Sequence, residues 1–295
     1  MISDIHPRIP IFLLGVLLQI SGFISLPEPA IAAVMVESKE YKLIVDVGSN
    51  DLEKLWSDVL SAVKQISIGI IDEEGHNNPK ESRSVYFLDT YKCFLKNNGY
   101  NLRGRDAEFT LKFRAAGPDV LERVKFNGDE KTEEDIVPAK PGIAHGDVNL
   151  RGIFSRSATI KPKRAVKTVT DLLEEFGHLK KTLKHQDIPL PEENKLEAVS
   201  DLNIRELIYK GPTINFADSR RPIPAKFTLT IWEDGKGNGR RMIAELSFKY
   251  SIESNDDPSQ QDASNLFTRL QMFSWAKPMA KTKTDFVYEY KNFCR

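Results

Sequence analysis

YFLDTYKCFLKNNGYNLRGRDAEFTLKFR, residues 86–114, carries a short strand, a helix and two cationic strands in a single run. Val85, Tyr86, Phe87 and Leu88 form a β-type run that Asp89-Thr90 ends, and Thr90 is offered as a helix N-cap. Asn97, Asn98 and Gly99 close that helix. Alternate side chains share a face in an extended chain, so Leu102-Arg103-Gly104-Arg105 sets its two arginines on one side. The next run repeats the device: Phe109, Leu111 and Phe113 face one way, Thr110, Lys112 and Arg114 the other.

Solvated sheet faces ordinarily mix charge signs. The whole chain balances 42 basic against 42 acidic residues, for a formal net charge of +0. Arg103, Arg105, Lys112 and Arg114 nevertheless all carry one sign. The bland reading is the wet face of an antiparallel sheet. The sharper reading is an anionic ligand, since guanidinium and ammonium groups together suit phosphate oxygens.

Outward from this stretch, residues 1–33 have the form of a targeting segment. Ile9 to Leu26 is almost entirely apolar, His6 and Arg8 precede it, and Pro27, Pro29 and the small-residue site Ala30-Ile31-Ala32 follow. Cleavage near Ala32 or Ala33 is expected, with an uncleaved anchor as the alternative. Either way a periplasmic or secreted location is expected. The two cysteines, Cys93 and Cys294, then meet an oxidising compartment, where they are either bridged or two free thiols.

Ser38 to Val47 alternates as a strand, with Tyr41, Leu43, Val45 and Val47 on one face and Ser38, Glu40 and Lys42 on the other. Asn50 or Asp51 caps a helix to about Ile66 whose apolar stripe runs Leu52, Leu55, Trp56, Val59, Leu60, Val63. Residues 72–83 read as loop, Val120–Phe126 as a strand, and Asn127–Leu150 as an irregular flap or insertion. Gly152–Ile160 is a strand, and Thr168 or Thr170 caps a helix through His185. Ile204–Ile214 is a strand, and Lys226–Glu233 with Arg241–Ser251 forms a hairpin around Asp234–Gly239. That glycine-rich run lacks the following helix of a phosphate-cradling loop, so it is read as a turn. A closing helix is expected from Ser259 to about Trp275 and an edge strand over Phe286–Tyr290. Five histidines without metal-ligand spacing carry no zinc signal.

The aromatic-x-x-Asp-Thr run, the helix ending near Gly99, Leu-Arg-x-Arg at 102–105 and Thr-Leu-Lys-x-Arg at 110–114 resemble the CYTH, or triphosphate tunnel metalloenzyme, superfamily. The resemblance implies an α+β fold over residues 34–295, with a closed antiparallel eight-stranded β-barrel forming a tunnel and helices packed outside. Inward Lys and Arg of the family grip a triphosphate, and inward carboxylates hold divalent metal. The family's first-strand Glu-x-Glu-x-Lys corresponds here to Ser38, Glu40 and Lys42, so the first glutamate is missing. Glu37 does not easily replace it, because adjacent strand residues point to opposite faces. A second Glu-x-Glu corresponds to Glu245 and Ser247, reduced in the same way.

Carried over residue by residue, the resemblance makes Lys42, Arg103, Arg105, Lys112, Arg114, Arg156 and Arg205 phosphate contacts, with Lys210 a weaker one. Glu40 and Lys42 become catalytic, and Glu40 with Glu245 hold Mg2+ or Mn2+, as one ion, with Glu233 or Asp234 as further oxygen donors. It implies an exported, metal-dependent hydrolase of inorganic triphosphate, polyphosphate or another phosphorylated small molecule. A non-catalytic polyanion-binding module on the same fold is the alternative, and since a fold does not fix a function, a resemblance of fold alone is the third. Neither nucleic acid nor, after cleavage, a membrane is expected as a partner.

Overall fold

Period-two alternation between apolar and polar residues produces most of this chain's structure. In the computed structural model the described residues are 35–47, 51–139, 150–216, 222–236, 239–252, 257–290 and 293–294. The expected targeting segment therefore lies outside them. In chain order the elements are β1 (Ser38–Val45), α1 (Leu52–Gln65), β2 (Gly69–Asp72), β3 (Glu81–Asp89), α2 (Phe94–Asn97), β4 (Tyr100–Arg105) and β5 (Glu108–Ala115). Then come β6 (Asp129–Pro138), β7 (Leu150–Ile160), α3 (Val169–Glu175), α4 (Leu179–His185), β8 (Glu197–Ala198) and β9 (Ile204–Asn215). The hairpin β10 (Pro224–Asp234) and β11 (Arg241–Ser251), α5 (Gln260–Leu270) and α6 (Lys283–Glu289) complete them. Among the described residues no helix is long and apolar enough to cross a membrane.

The eleven strands of the described residues join one sheet in the order β2-β9-β10-β11-β1-β6-β7-β5-β4-β3-β8, and β3 also pairs with β9. Nine strands, β9 round to β3, are thus hydrogen bonded in a ring, where eight antiparallel strands were expected. One joint departs from the expected direction: β1 and β6 run parallel, with Ser38 beside Glu133 and Glu40 beside Asp135. A hairpin forces antiparallel pairing, but β1 and β6 are far apart in sequence and under no such constraint.

Each face of the ring has its own packing. Outside, α1 and α5 cover β1 and β9–β11, burying Leu55, Trp56, Val59 and Val63 against residues such as Leu229 and Phe248. On the opposite outer side, Leu172, Phe176, Leu179 and Leu183 of the α3–α4 segment pack on Leu102, Leu111 and Phe113. Gly104 lies beneath the Tyr86 ring there, where a Cβ would come within 2.2 Å of it. The third cluster, Val85, Phe87, Ile204, Trp232, Val287 and Tyr288, packs α6 against side chains on the ring's inner face.

Several expected elements take other forms. Val120–Phe126 is not a strand but contains a 3-10 turn over Asp119–Arg123, with Leu121 and Val124, three apart, both buried. Asn127–Leu150 is not irregular throughout, because β6 runs to Pro138; residues 140–149 lie outside the described ones. The loop expected over 72–83 is bounded by strand on both sides, β3 starting at Glu81. The helix expected from Thr168 to His185 breaks at Phe176-Gly177 into α3 and α4, the first started by a Thr168–Asp171 capping box. The closing helix stops at Leu270 rather than Trp275. Thr90 does not start α2 directly. Cys93 at φ 54° precedes it, Thr90 Oγ1 accepts from Phe94 N at 3.0 Å, and the Asp89 carboxylate accepts from Leu95 N and Lys96 N.

The C-terminal segment shows the largest departure. Residues 286–290 were expected as an edge strand, yet Thr282 and Asp285 form a capping box and α6 follows. Both carbonyls near its end, Val287 O and Tyr290 O, accept from Ser200 Oγ, and Tyr288 Oη donates to buried Asp89. Beyond α6, Cys294 is disulfide-bonded to Cys93 with the Cα atoms 5.5 Å apart, which settles that pairing in favour of the bridge.

Candidate functional site

The inner face of the ring lines a cavity of ≈ 650 Å³. Alternation decides which side chains reach it. Arg83 comes from β3, Asn101, Arg103 and Arg105 from β4, and Lys112 and Arg114 from β5. From the other side come Glu40 and Lys42 of β1, Lys226, Thr228 and Thr230 of β10, and Glu245, Ser247 and Lys249 of β11. Glu133 adds a carboxylate from β6, and Thr282, Lys283 and Thr284 enter from the start of α6. Nine cationic side chains thus face three carboxylates, with two more carboxylates, Asp135 and Glu206, buried behind the wall.

The arginine side is the less compensated one. Arg83 and Arg105 both bind Glu206, which is 1% exposed and also accepts from Trp232 Nε1 at 3.0 Å. Burial alone would raise the Glu206 carboxyl, but Arg105 and Lys283 outweigh it and bring it down to about 2. The Arg103 side chain makes no ion pair or hydrogen bond among the described residues, and its Nε is buried without a partner. Burial, with Arg105 beside it, lowers Arg103 from its ordinary value. Arg114 reaches only hydroxyls, Thr282 Oγ1 at 3.4 Å and Thr284 Oγ1 at 3.5 Å. The Nε atoms of Arg105 and Arg114 are likewise buried and unpartnered. Donors held this way have no internal acceptor to satisfy them, and an anion supplies one.

The lysine side alternates in sign. Lys42 Nζ lies 2.8 Å from Asp135 Oδ1 and 3.0 Å from Glu40 Oε2, and Lys112 Nζ lies 3.1 Å from Glu133 Oε2 and 3.3 Å from Asp135 Oδ2. Lys249 closes on the other oxygen of Glu133, and Lys283 Nζ lies 3.2 Å from Glu245 Oε1. Lys112 first, then Lys249, brings the Glu133 carboxyl down to about 2 against its burial. Burial would raise Asp135, but Lys112, Lys42 and Arg114 hold it far below the usual carboxylate range. Lys42, which burial would lower, is raised above its ordinary value by Asp135, Glu40 and Glu245.

Glu40 and Glu245 do not meet as a shared cation site. Glu40 is opposite Lys249 in the β1–β11 register while Glu245 is opposite Ile44. Four residues of strand separate them, roughly 13 Å along β1, with Lys42 between. A single magnesium ion ligated directly by both would need an oxygen of each at about 2.1 Å, which this separation does not allow. These two instead each hold an ammonium, and among the described residues no three His, Cys, Asp or Glu are grouped to take a metal ion. Glu40 and Glu245 therefore do not fit the single Mg2+ or Mn2+ ion expected to bridge them. Glu233 and Asp234 bring no help, since Glu233 pairs with Arg205 and neither lines the cavity.

Of the expected phosphate contacts, Lys42, Arg103, Arg105, Lys112 and Arg114 come together in the cavity. Arg156 does not. It stands opposite Phe113, on the outer face, and donates to the carbonyls of Leu121 and Val124. Arg205 does not either: it shares a face with Leu207 and Tyr209 of the outer core and forks onto Glu233. Lys210 also lies off the cavity wall.

Sequence reading missed Arg83, Lys226, Lys283, Glu133, Asp135 and Glu206, and it placed Lys249 on the face of Glu245 and Ser247 without giving it a role. For Glu133 and Asp135 a signal existed, since they alternate ahead of buried Ile136 and Val137, but the surrounding charge hid the period. For Lys283 the signal was Thr-x-x-Asp at 282–285, a helix start rather than a strand.

No family model matches the chain, and no curated protein does. Among solved structures it is similar to an adenylyl cyclase candidate from Hippeastrum described as having a dominant triphosphatase activity, at 11% identity and TM-score 0.41, over 87% of this chain and 96% of that one. A candidate adenylate cyclase from Bacillus halodurans matches at 12% identity and TM-score 0.35, over 85% and 96% of the two chains. One from Vibrio parahaemolyticus matches at 12% identity and TM-score 0.31, over 85% and 97%. The chain is thus similar over most of its length to structures of candidate adenylate cyclases, one of which is described as a triphosphatase.

Proposed function

We propose that this chain is an exported, divergent protein of the CYTH type whose ring forms a cationic tunnel for inorganic triphosphate, polyphosphate or a similar phosphorylated small molecule. The observation that carries the proposal is the inward convergence of Arg103, Arg105 and Arg114, each with a buried Nε that finds no acceptor among the described residues. A chain of phosphates offers closely spaced anionic oxygens, which suits guanidinium groups on adjacent strands. The Cys93–Cys294 bridge supports export, since such bonds persist in oxidising compartments.

Binding is the better supported half of this reading. Hydrolysis is a second reading, favoured by Glu40, which faces the cavity beside Lys42 and offers a carboxylate near bound phosphate. Phosphoryl transfer depends mainly on positioning and charge neutralisation. The test is a thermal melt of the mature chain, starting at Val34, with sodium tripolyphosphate, alongside phosphate release from the same compound. A melting shift in the wild type that Arg103→Ala abolishes supports the binding site, and phosphate release lost in Glu40→Gln adds turnover. No shift and no release would remove the proposal.

A further inference from the structure

Every carboxylate on the cavity wall is already engaged by an ammonium of the chain itself. Glu40 holds Lys42, Glu133 holds Lys112 and Lys249, and Glu245 holds Lys283. The buried Asp135 behind them is shared by Lys42 and Lys112. A divalent cation at any of these positions would have to compete with a lysine's positive charge at the same carboxylate. The positive excess that draws a polyanion exists without one, because Arg103, Arg114 and Lys226 line the cavity with no carboxylate in ion-pair contact among the described residues.

Lys283 is the least ordinary of these groups, since it comes from a helix rather than from the ring. The Thr282–Asp285 capping box starts α6, and Tyr288–Asp89 and the contacts of Ser200 seat its far end. Lys283 Nζ is set 3.2 Å from Glu245 Oε1 and 5.2 Å from the Trp232 ring centroid, with its side chain only 14% exposed. An ammonium fixed against a carboxylate and an aromatic face stands where a cation would otherwise neutralise Glu245.

We propose that the cavity takes up a condensed phosphate without any divalent cation, with Lys283 supplying at Glu245 the positive charge that a metal ion would bring. This inference rests on the reading of the cavity as a polyphosphate site. Lys283 then has two partners, Glu245 below and a phosphate oxygen above, and the remaining charge of the ligand falls to Arg103, Arg105, Arg114 and Lys112.

The experiment is titration calorimetry of the full mature chain with sodium tripolyphosphate, in EDTA and again in excess Mg2+ or Mn2+. The wild type is expected to bind in EDTA at least as tightly as with metal, since free Mg2+ also withdraws the ligand. Lys283→Met is expected to weaken binding in EDTA about tenfold, the scale of one lost charge-assisted hydrogen bond. Added Mn2+, whose paramagnetic resonance signal reports its binding, should recover part of that loss by reaching the freed Glu245. Lys283→Arg keeps the charge and should bind within about twofold of wild type. Wild-type binding that vanishes in EDTA and returns with Mg2+ overturns the inference while leaving the phosphate site intact. So does a folded Lys283→Met variant that binds like wild type. Absence of wild-type binding under both conditions removes the polyphosphate reading itself, and this inference with it.

Discussion

Lys42 Nζ lies 2.8 Å from Asp135 Oδ1 across the parallel joint of the ring, and the carboxylate it meets is wholly buried. Lys112 grips the other oxygen of the same group at 3.3 Å. Asp135 is thus the counter-ion for two lysines on strands from either side of β6, and it fixes where both ammonium groups stand.

Asp135→Ala should therefore destabilise the fold sharply, because it strands two partly buried ammonium groups. Removing one partner of a buried ion pair costs about 3–5 kcal/mol. The unfolding free energy extrapolated from urea denaturation should fall by that amount, and a change under about 1 kcal/mol would mean that water already screens the pair.

Acid should unfold the protein through the same set of groups. The Glu133 and Glu206 carboxyls sit at about 2, below their ordinary 4.5, and Asp135 is depressed as well. A depressed carboxylate contributes stability that is present above its ordinary value and lost as pH falls toward the folded value. Stability should hold above about pH 4.5 and drop between there and about pH 2, by on the order of 3 kcal/mol for Glu206. Denaturation midpoints measured against pH check this, and Glu206→Gln should flatten the fall.

The arginines divide by face. Arg103→Ala and Lys112→Ala should each weaken tripolyphosphate binding by about tenfold or more, since charge-assisted contacts contribute about 1.5–3 kcal/mol. Arg156→Ala and Arg205→Ala should leave it within about twofold, because neither side chain reaches the cavity. Arg156→Ala should still lower stability, for it frees the Leu121 and Val124 carbonyls. Calorimetry on the four variants tests the division, and a large binding loss in Arg205→Ala would contradict it.

Reducing the Cys93–Cys294 bridge should loosen α6 and with it one wall of the site. The bond closes a sequence separation of 201 residues, and a native bridge of this kind contributes about 2–5 kcal/mol. Thermal melts with and without reductant should differ accordingly, and Cys294→Ser should also bind tripolyphosphate more weakly as Thr282, Lys283 and Thr284 lose their seat. Equal melts would mean that Ser200 and Tyr288 hold α6 unaided.

Strand alternation is a local property, and where it was clean the sequence by itself placed the side chains. Arg103 with Arg105, Lys112 with Arg114, Glu40 with Lys42, and Glu245 with Ser247 and Lys249 were each legible as one face of one strand, and each set lines the same cavity. What alternation cannot say is which face turns inward, because that depends on the neighbouring strand. Arg156 lies outside only because β7 registers it against Phe113, and Arg205 only because Leu207 and Tyr209 on its face pack under α1. The parallel β1–β6 joint that brings Asp135 to Lys42, and the docking of α6 that carries Lys283 to Glu245, were decided by tertiary structure. Both join parts of the chain far apart in sequence, through ring closure and a disulfide, and no local period records such contacts.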